Sequence, residues 1–142
     1  MNMRKSAGFT LMEILVVISI LGFLFGFLIP TVMKQMGRAD DKKIELKMNS
    51  LKQALVDYKM DIGNYPSTKD GLKALLENPR PNDPRYSAQK NKWPYVSNSS
   101  DIEDNNGNEF IYHCPPEKFK GQYKSFEIIW EEGDEVKYHT GA

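Results

Sequence analysis

The sequence has only one cysteine, Cys114, among its 142 residues. A single thiol cannot form an intrachain disulfide, so any small exported domain of this chain has to be stabilised without the cross-links on which such domains often depend. An excess of charge of either sign is also lacking, because nineteen basic and nineteen acidic side chains cancel. We therefore expect no nucleic-acid partner.

Catalytic motifs are lacking as well. The sequence contains no G-x-S-x-G nucleophile elbow, no Walker-type phosphate loop and no cluster of residues at zinc spacing. His113 lies beside Cys114, but two prolines follow at once, and we expect the other histidine, His139, in a frayed C-terminal tail. We therefore expect no catalytic residue and a chain that is a substrate of processing enzymes, not an enzyme.

What the sequence has instead is a long apolar run from Phe9 to Met33. Arg4 and Lys5 precede this run, and basic residues in that position hold an N-terminus in the cytoplasm. A membrane-spanning helix needs ~20 predominantly apolar residues, and this run supplies them with one exception, Glu13. Since a carboxylate inside the bilayer costs ~2.5–3.5 kcal/mol on insertion scales, Glu13 requires a partner.

Three interpretations of this segment compete. A cleaved secretory signal needs small residues after the apolar core, but after Phe27 the chain continues Leu-Ile-Pro-Thr-Val-Met. An uncleaved signal anchor explains the basic residues and the span, but it leaves Glu13 without a partner. The third interpretation supplies a partner, and it rests on the residues that begin the run.

The stretch Gly8-Phe9-Thr10-Leu11-Met12-Glu13 closely resembles the class III signal of type IV pilins and type II secretion pseudopilins. The resemblance implies that a prepilin peptidase cuts after Gly8 on the cytoplasmic side and methylates Phe9, the new N-terminal residue. It also implies an assembly role for Phe9, for Glu13 four places further on, and for Pro30 near the end of the apolar segment.

The physical chemistry of cleavage fits this interpretation. Cleavage exposes an α-amino group with an unperturbed pKa of about 8, which is mostly charged at neutral pH. In a filament, Glu13 of one subunit can pair with the Phe9 amine of its neighbour, so that assembly offsets the cost of the carboxylate. Glu13 then favours a single axial stagger between otherwise uniform apolar helices.

Beyond the apolar run the chain is amphipathic. The apolar positions 44, 48, 51, 55, 58 and 62 follow spacings of four and three, which predicts one buried stripe on a helix. Gly63 suits a helix stop. A helix from Phe9 to Ile62 would be roughly 80 Å long at 1.5 Å per residue, and Pro30 is expected to kink it or open it locally.

The remaining residues predict short elements and a small sheet. Ser67 and Asp70 resemble a capping box before a short helix, residues 79–92 read as a surface loop, and residues 93–96 read as an edge strand or an anchored loop. Turns at residues 105–108 and 133–134 separate the β-prone runs 110–112, 123–130 and 136–138. We predict an α+β, pilin-like fold in which a long N-terminal helix packs on a small antiparallel β-sheet.

Four motifs narrow the resemblance to the major pseudopilin of the type II secretion system. They are Gly63-Asn64-Tyr65-Pro66, Gly71-Leu72-x-Ala74-Leu75, a later Trp-x-Tyr segment at residues 93–95, and Gly107-Asn108-x-Phe110-x-Tyr112. The resemblance extends from about Lys5 to Tyr112. The chain departs from the group at residues 104–107, where Asp-Asn-Asn-Gly replaces Asp-Pro-Trp-Gly.

The same resemblance implies a calcium ion in an acidic C-terminal loop. The candidate ligands here are Glu131, Glu132 and Asp134, together with Glu135, but they lie in a compact turn. Because calcium takes six to eight oxygen ligands, we favour a solvated acidic turn and no metal cofactor. Aromatic packing is then expected to stabilise the domain, through Trp93, Tyr112, Phe126 and Trp130.

Together these observations predict a cytoplasmic leader at residues 1–8, a transmembrane and filament-core helix at 9–33, and a soluble periplasmic domain at 34–142. The expected function is a structural pseudopilus subunit that drives protein export. The resemblance implies as partners further copies of the chain, prepilin peptidase, minor pseudopilins, an inner-membrane assembly platform and membrane lipid. The location is then the bacterial inner membrane, as a single-pass protein, and afterwards the periplasmic pseudopilus. Alternatives are a type IV or competence-type pilus subunit and a signal-anchored periplasmic domain that never polymerises.

Overall fold

The computed structural model describes residues 8–142, except for the side chains of residues 30–36. The chain forms two compact units, one ending at Asp41 and the other comprising Lys42–Ala142, which we call the head. Residues 1–7 of the predicted leader lie outside the described residues. The predicted boundaries after residues 8 and 33 concern processing and the membrane, and they stay predictions.

The longest element is helix α1, Leu11–Ile62, with 52 residues. The predicted helix is confirmed at its C-terminal end and begins two residues later than Phe9. The helix runs without interruption through Pro30, so the local opening predicted at this proline does not occur. The kink that was predicted as the alternative stays a prediction. Gly63 ends the helix with a φ of 100°, and its backbone N–H donates to the Lys59 carbonyl over 2.7 Å.

Within the head, one face of α1 is buried in the core. The predicted stripe is confirmed, because each of its six side chains is at most 5% exposed: Ile44, Met48, Leu51, Leu55, Tyr58 and Ile62. Burying an aliphatic side chain of this size stabilises a fold by ~1.5–3 kcal/mol relative to leaving it exposed. The stripe therefore anchors this part of α1 to the rest of the head.

Three strands form one antiparallel sheet in the order β1-β2-β3, with β1 at Ile111–His113, β2 at Glu127–Glu132 and β3 at Glu135–Gly141. Gly133 and Asp134 form the turn between β2 and β3, as predicted. Tyr112, Ile128 and Trp130 belong to the same buried cluster as the α1 stripe. The predicted fold, a long helix packed on a small antiparallel sheet, is confirmed.

Two details of the sheet differ from the prediction. Strand β2 begins at Glu127 and not at Tyr123, because the backbone N–H groups of residues 124–126 donate to the carbonyl of Ala142. His139 lies within β3, so the prediction of a frayed tail is wrong. Its ring stacks on Phe119 with 3.8 Å between ring centroids, and its Nδ1 lies 2.9 Å from the Tyr123 hydroxyl.

A helix occupies part of the segment predicted as a surface loop. Helix α2, Pro84–Ala88, begins after Asp83, whose carboxylate accepts a hydrogen bond from the Arg85 backbone N–H over 3.0 Å. Tyr86 on this helix is only 1% exposed. The loop prediction is therefore wrong for this residue, which anchors the segment to the core through its aromatic ring.

The other short elements are 3-10 helices at Leu72–Leu75, Lys90–Lys92 and Ser99–Ile102. The capping box predicted for Ser67 closes a turn instead of starting a helix. The Ser67 hydroxyl accepts from the Asp70 backbone N–H over 3.1 Å, and the 3-10 helix begins only afterwards, at Leu72.

Residues 93–96 form an anchored loop, which was one of the two predicted alternatives. The Trp93 indole N–H donates to the Ala74 carbonyl over 2.8 Å, and the Tyr95 hydroxyl donates to the Asp61 carboxylate over 2.9 Å. Both rings contact Tyr58 of α1, at centroid distances of 5.9 and 5.4 Å. The expected aromatic packing around Trp93 is therefore present, and it is centred on Tyr58.

Candidate assembly site at the start of the long helix

The predicted cleavage site lies just before α1. Gly8, Phe9 and Thr10 are not helical, and all three are exposed. No atom lies within 4 Å of the position that a Cβ on Gly8 would occupy. The peptide bond between Gly8 and Phe9 is therefore outside the helix and accessible in the monomer.

Thr10 is the N-cap of α1. Its side-chain hydroxyl accepts a hydrogen bond from the Glu13 backbone N–H over 3.2 Å, and its carbonyl accepts from Ile14 over 3.2 Å. Such a cap satisfies a backbone donor that has no partner within the helix and contributes ~0.5–2 kcal/mol. The sequence prediction overlooked this role, although Thr-x-x-Glu is the capping-box pattern.

Glu13 lies in the first turn of α1 with its side chain exposed. A negative charge is favoured there, because the unpaired N–H groups make the N-terminal end of a helix electropositive. The carboxylate has no hydrogen-bond or ion-pair partner among the residues whose side chains the structure describes.

The helix surface that follows Glu13 is apolar and uncovered. Leu11–Ile29 has a mean hydropathy of 2.6, and none of it is buried within the chain. Phe23 and Phe27 are each 67% exposed, and their rings contact each other edge to face. By length and composition this segment can cross a membrane. Pro30 follows directly within α1; its side chain lies outside the described residues.

The calcium candidates lie on the β2–β3 hairpin and are paired with lysines. Glu131 forms an ion pair with Lys118, while Lys137 lies 3.7 Å from Glu132 and 3.2 Å from Glu135. Asp134 is exposed in the turn. Among the described residues, no group of three or more acidic, histidine or cysteine side chains is arranged to hold a metal ion.

Glu127 is a buried carboxylate whose role the sequence did not reveal. Its side chain is fully buried, and it accepts hydrogen bonds from the backbone N–H groups of Glu117, Lys118 and Phe119 over 2.9, 2.8 and 2.7 Å. His113 Nδ1 lies 2.6 Å from the same carboxylate. Burial alone raises the pKa of the Glu127 carboxyl, but these hydrogen bonds outweigh burial and lower its pKa to about 2.

A second carboxylate organises the turn at residues 104–107. The Asp104 carboxylate accepts from the backbone N–H groups of Asn106 and Asn108 over 2.8 and 2.9 Å, and Gly107 has a φ of 81°. Burial raises the pKa of the Asp104 carboxyl, but the hydrogen bonds from Asn108 and Asn106 outweigh it and hold the pKa below its ordinary value. The turn therefore forms without the proline and tryptophan of the related motif.

Two family models match this sequence. The model described as a prokaryotic N-terminal methylation motif matches residues 3–29, and the model described as type II secretion system protein G matches residues 31–135. An apolar helix with a methylation motif ahead of a small α+β head defines the pilin-like class of subunits. The second match covers most of the chain, which therefore belongs to the type II secretion system protein G family.

Individual relatives agree with this assignment. The type II secretion system core protein G of Vibrio cholerae serotype O1 is 36% identical over 144 residues, which cover 99% of this chain and 91% of the relative. The protein of the same description from Escherichia coli K12 is 37% identical over 125 residues, covering 88% and 80%. The crystal structure of the major pseudopilin from the type 2 secretion system of enterohaemorrhagic Escherichia coli superimposes with a TM-score of 0.53 at 25% identity, covering 74% of this chain and 84% of that one. The members of this family are structural pseudopilin subunits, and the chain is not an enzyme.

Proposed function

We propose that this chain is a structural subunit of a type II secretion pseudopilus, whose growth drives protein export. A prepilin peptidase cleaves the precursor after Gly8 and methylates Phe9, and the mature chain polymerises through α1. The proposal rests on one observation above all: the exposed apolar segment Leu11–Ile29 has near its start a carboxylate, Glu13, that has no partner among the described residues.

The free energy of burying the apolar surface of Leu11–Ile29 favours two successive environments for this part of α1. Before assembly, lipid covers the apolar surface of Leu11–Ile29, with the N-terminus in the cytoplasm and the head in the periplasm. On assembly, the helices of neighbouring copies replace the lipid. The Phe9 amine of one copy then pairs with Glu13 of the next, and the cost of the buried carboxylate falls. Minor pseudopilins and an inner-membrane platform are the further partners that membership of the family supports.

No metal is part of this proposal. The charges of Glu131, Glu132 and Glu135 are offset by Lys118 and Lys137. The Glu127 carboxylate, which lies on β2, holds the segment 117–119 against the sheet by accepting three backbone hydrogen bonds. These contacts support the proposal that the C-terminal residues are held in place without calcium.

Processing is tested by mass spectrometry of the membrane-bound protein, expressed together with its peptidase. We expect a mass equal to residues 9–142 plus one methyl group. A chain that keeps Met1 in the presence of the peptidase contradicts the proposal and favours a signal anchor.

Assembly is tested with Glu13→Ala, because the head and the cleavage site do not depend on this carboxylate. We expect the variant to be cleaved but to be absent from filaments sheared from cells. Met12→Ala is the matched control, since Met12 is the exposed, uncharged neighbour of Glu13. Normal filaments from Glu13→Ala are the result that rules out the register role.

A further inference from the structure

Strand β2 continues beyond the point where its neighbour β1 begins. The pairing between the two strands ends at Ile111 and Ile129, whereas β2 extends to Glu132. Before Ile111 the chain turns away from β2, because the Phe110 backbone N–H donates to the Ile102 carbonyl over 2.9 Å. The last three residues of β2 therefore have β3 on one side and, among the described residues, no strand on the other.

A cavity of about 260 Å³ lies at this end of the sheet. Its walls are the end of β2 and the segment 104–111 that turns away from β2. Pockets for small molecules usually measure ~300–1,000 Å³, which is more than this cavity offers. The cavity therefore suits a single residue of another chain better than a whole small-molecule ligand.

The charge of the cavity is negative. Asp104, Glu109 and Glu131 line it, and no basic side chain is among the described residues that do. Lys118 forms an ion pair with Glu131 and Lys73 lies 3.7 Å from Glu109, so lysines outside the cavity offset its charge only in part. The three acidic residues do not form a group that could hold a metal ion. The cavity therefore favours an organic cation over an anion.

The cavity also contains a hydrogen-bond donor without an acceptor. Trp130 lines it and is only 6% exposed, and its indole N–H forms no hydrogen bond with any residue that the structure describes. Burial raises the pKa of the Asp104 carboxyl, while the hydrogen bonds from Asn108 and Asn106 and the nearby Trp130 indole lower it, so the indole N–H is directed towards this side of the cavity. A buried donor without an acceptor is costly and rare, which indicates that a bound molecule supplies the acceptor.

The two features together define the chemistry of the occupant. An inorganic cation suits the carboxylates but offers no acceptor to the indole N–H, whereas an anion offers an acceptor but is repelled by the carboxylates. An arginine or lysine residue within an extended peptide offers both, because its side chain is a cationic donor and its main-chain carbonyl is an acceptor. Open strand edges also bind extended peptides through main-chain hydrogen bonds, and pockets beside the edge select the side chain.

We infer that this cavity is a docking site for an arginine or lysine residue in an extended segment of a partner protein. The segment lies along the open edge of β2 beyond Ile129. Its basic side chain is directed towards Glu109, and a main-chain carbonyl accepts from the Trp130 indole N–H. The site belongs to the head alone, so it is present in the unassembled chain.

Nuclear magnetic resonance of the full-length chain in detergent tests the site, because the two tryptophans give only two indole N–H signals. The probe is the blocked peptide acetyl-Ala-Arg-Ala-amide, which carries one charge and no free terminus. We expect it to move the Trp130 signal downfield in a saturable way, with a Kd on the order of 1 mM for so small a ligand. The Trp93 signal should stay in place, since its indole N–H already donates to the Ala74 carbonyl. The same peptide with glutamine instead of arginine should bind about tenfold more weakly, because hydrogen bonds to charged groups are stronger than neutral ones.

Two glutamine variants test the charge of the cavity. Glu109→Gln should weaken binding of the arginine peptide by about fivefold, the effect of one partly exposed ion pair. Glu132→Gln is the matched control, because Glu132 also lies 3.7 Å from a lysine but does not line the cavity, and it should leave the binding unchanged. Both residues are exposed, so neither variant should change the unfolding temperature of the head.

Several results would overturn the inference. A Trp130 signal that the arginine peptide does not move shows that water alone occupies the cavity. Equal weakening by Glu109→Gln and Glu132→Gln removes the argument from charge. Calcium chloride that moves the Trp130 signal as the peptide does shows that the site takes a metal ion. A shift that grows with protein concentration in the absence of peptide shows that the occupant is a second copy of the chain and not a separate partner.

Discussion

Replacing Glu127 by glutamine should destabilise the head substantially. The carboxylate is fully buried, and three backbone N–H groups and His113 surround it. The amide of glutamine has the same shape, but its NH2 group faces one of these N–H donors and cannot accept from it. In the folded chain the pKa of Glu127 falls from 4.5 to about 2. Because each pKa unit corresponds to ~1.36 kcal/mol, the native environment favours the charged form by about 3 kcal/mol.

The assay is thermal unfolding of the full-length chain in detergent, followed by tryptophan fluorescence. Both tryptophans, Trp93 and Trp130, lie in the head. For a domain of this size a loss of 1 kcal/mol lowers the unfolding temperature by ~4–8 °C, so Glu127→Gln should lower it by ~10 °C or more. Glu131→Gln is the control, since it removes an exposed ion pair worth ~0–1 kcal/mol. Equal unfolding temperatures for the two variants would refute the reasoning.

The pH dependence gives a second test of the same interaction. The folded pKa of Glu127 is depressed, so its contribution is fully present above the unfolded value of about 4.5 and is lost as the pH falls through about 2. The contribution of the Glu127 charge to the difference in stability between the wild type and Glu127→Gln should therefore be fully present at about pH 5. It should shrink steadily towards pH 2, and a difference that is unchanged at pH 2 contradicts the assignment.

Two further predictions concern the same head. Removing divalent cations with a chelator should leave the unfolding temperature unchanged, because lysines offset the acidic hairpin; a large fall would show that Glu131, Glu132 or Asp134 does bind calcium. Gly141→Ala should destabilise the head by ~1–3 kcal/mol, since a Cβ at this position would lie 2.3 Å from the Phe126 carbonyl oxygen. Gly121→Ala, where no atom lies within 4 Å, is its control, and equal unfolding temperatures for the two alanine variants would contradict this packing.

The elements that the sequence predicts well are those in which one periodic signal dominates. The spacing of the α1 stripe from Ile44 to Ile62 admits a single buried face, and each of its residues is in the core. The turns at Gly107 and Gly133 follow from residues that tolerate a positive φ, and both glycines have one. At these positions the local conformational preference and the tertiary packing favour the same structure, so the sequence pattern alone is sufficient to predict it.

The elements that the sequence does not predict depend on contacts between distant residues. Tyr86 is the only aromatic residue between positions 80 and 92, among prolines and charges, and no period marks it as buried. Glu127 precedes an apolar run, but the donors to its carboxylate are backbone N–H groups of residues 117–119, which have no side-chain signature.

Glu13 and Glu127 differ in whether the described residues of the same chain supply partners for their carboxylates. Glu127 is buried in the head, and Glu13 would be buried if Leu11–Ile29 crossed a membrane; in both environments an unpaired charge is costly. The head surrounds Glu127 with four donors of its own, so that carboxylate belongs to the folded monomer. Glu13 has no partner among the described residues, and the apolar surface that follows it is uncovered. The head therefore satisfies its buried carboxylate with donors of its own, whereas we propose that the exposed Glu13 carboxylate receives its partner, the Phe9 amine of a second copy, only on assembly.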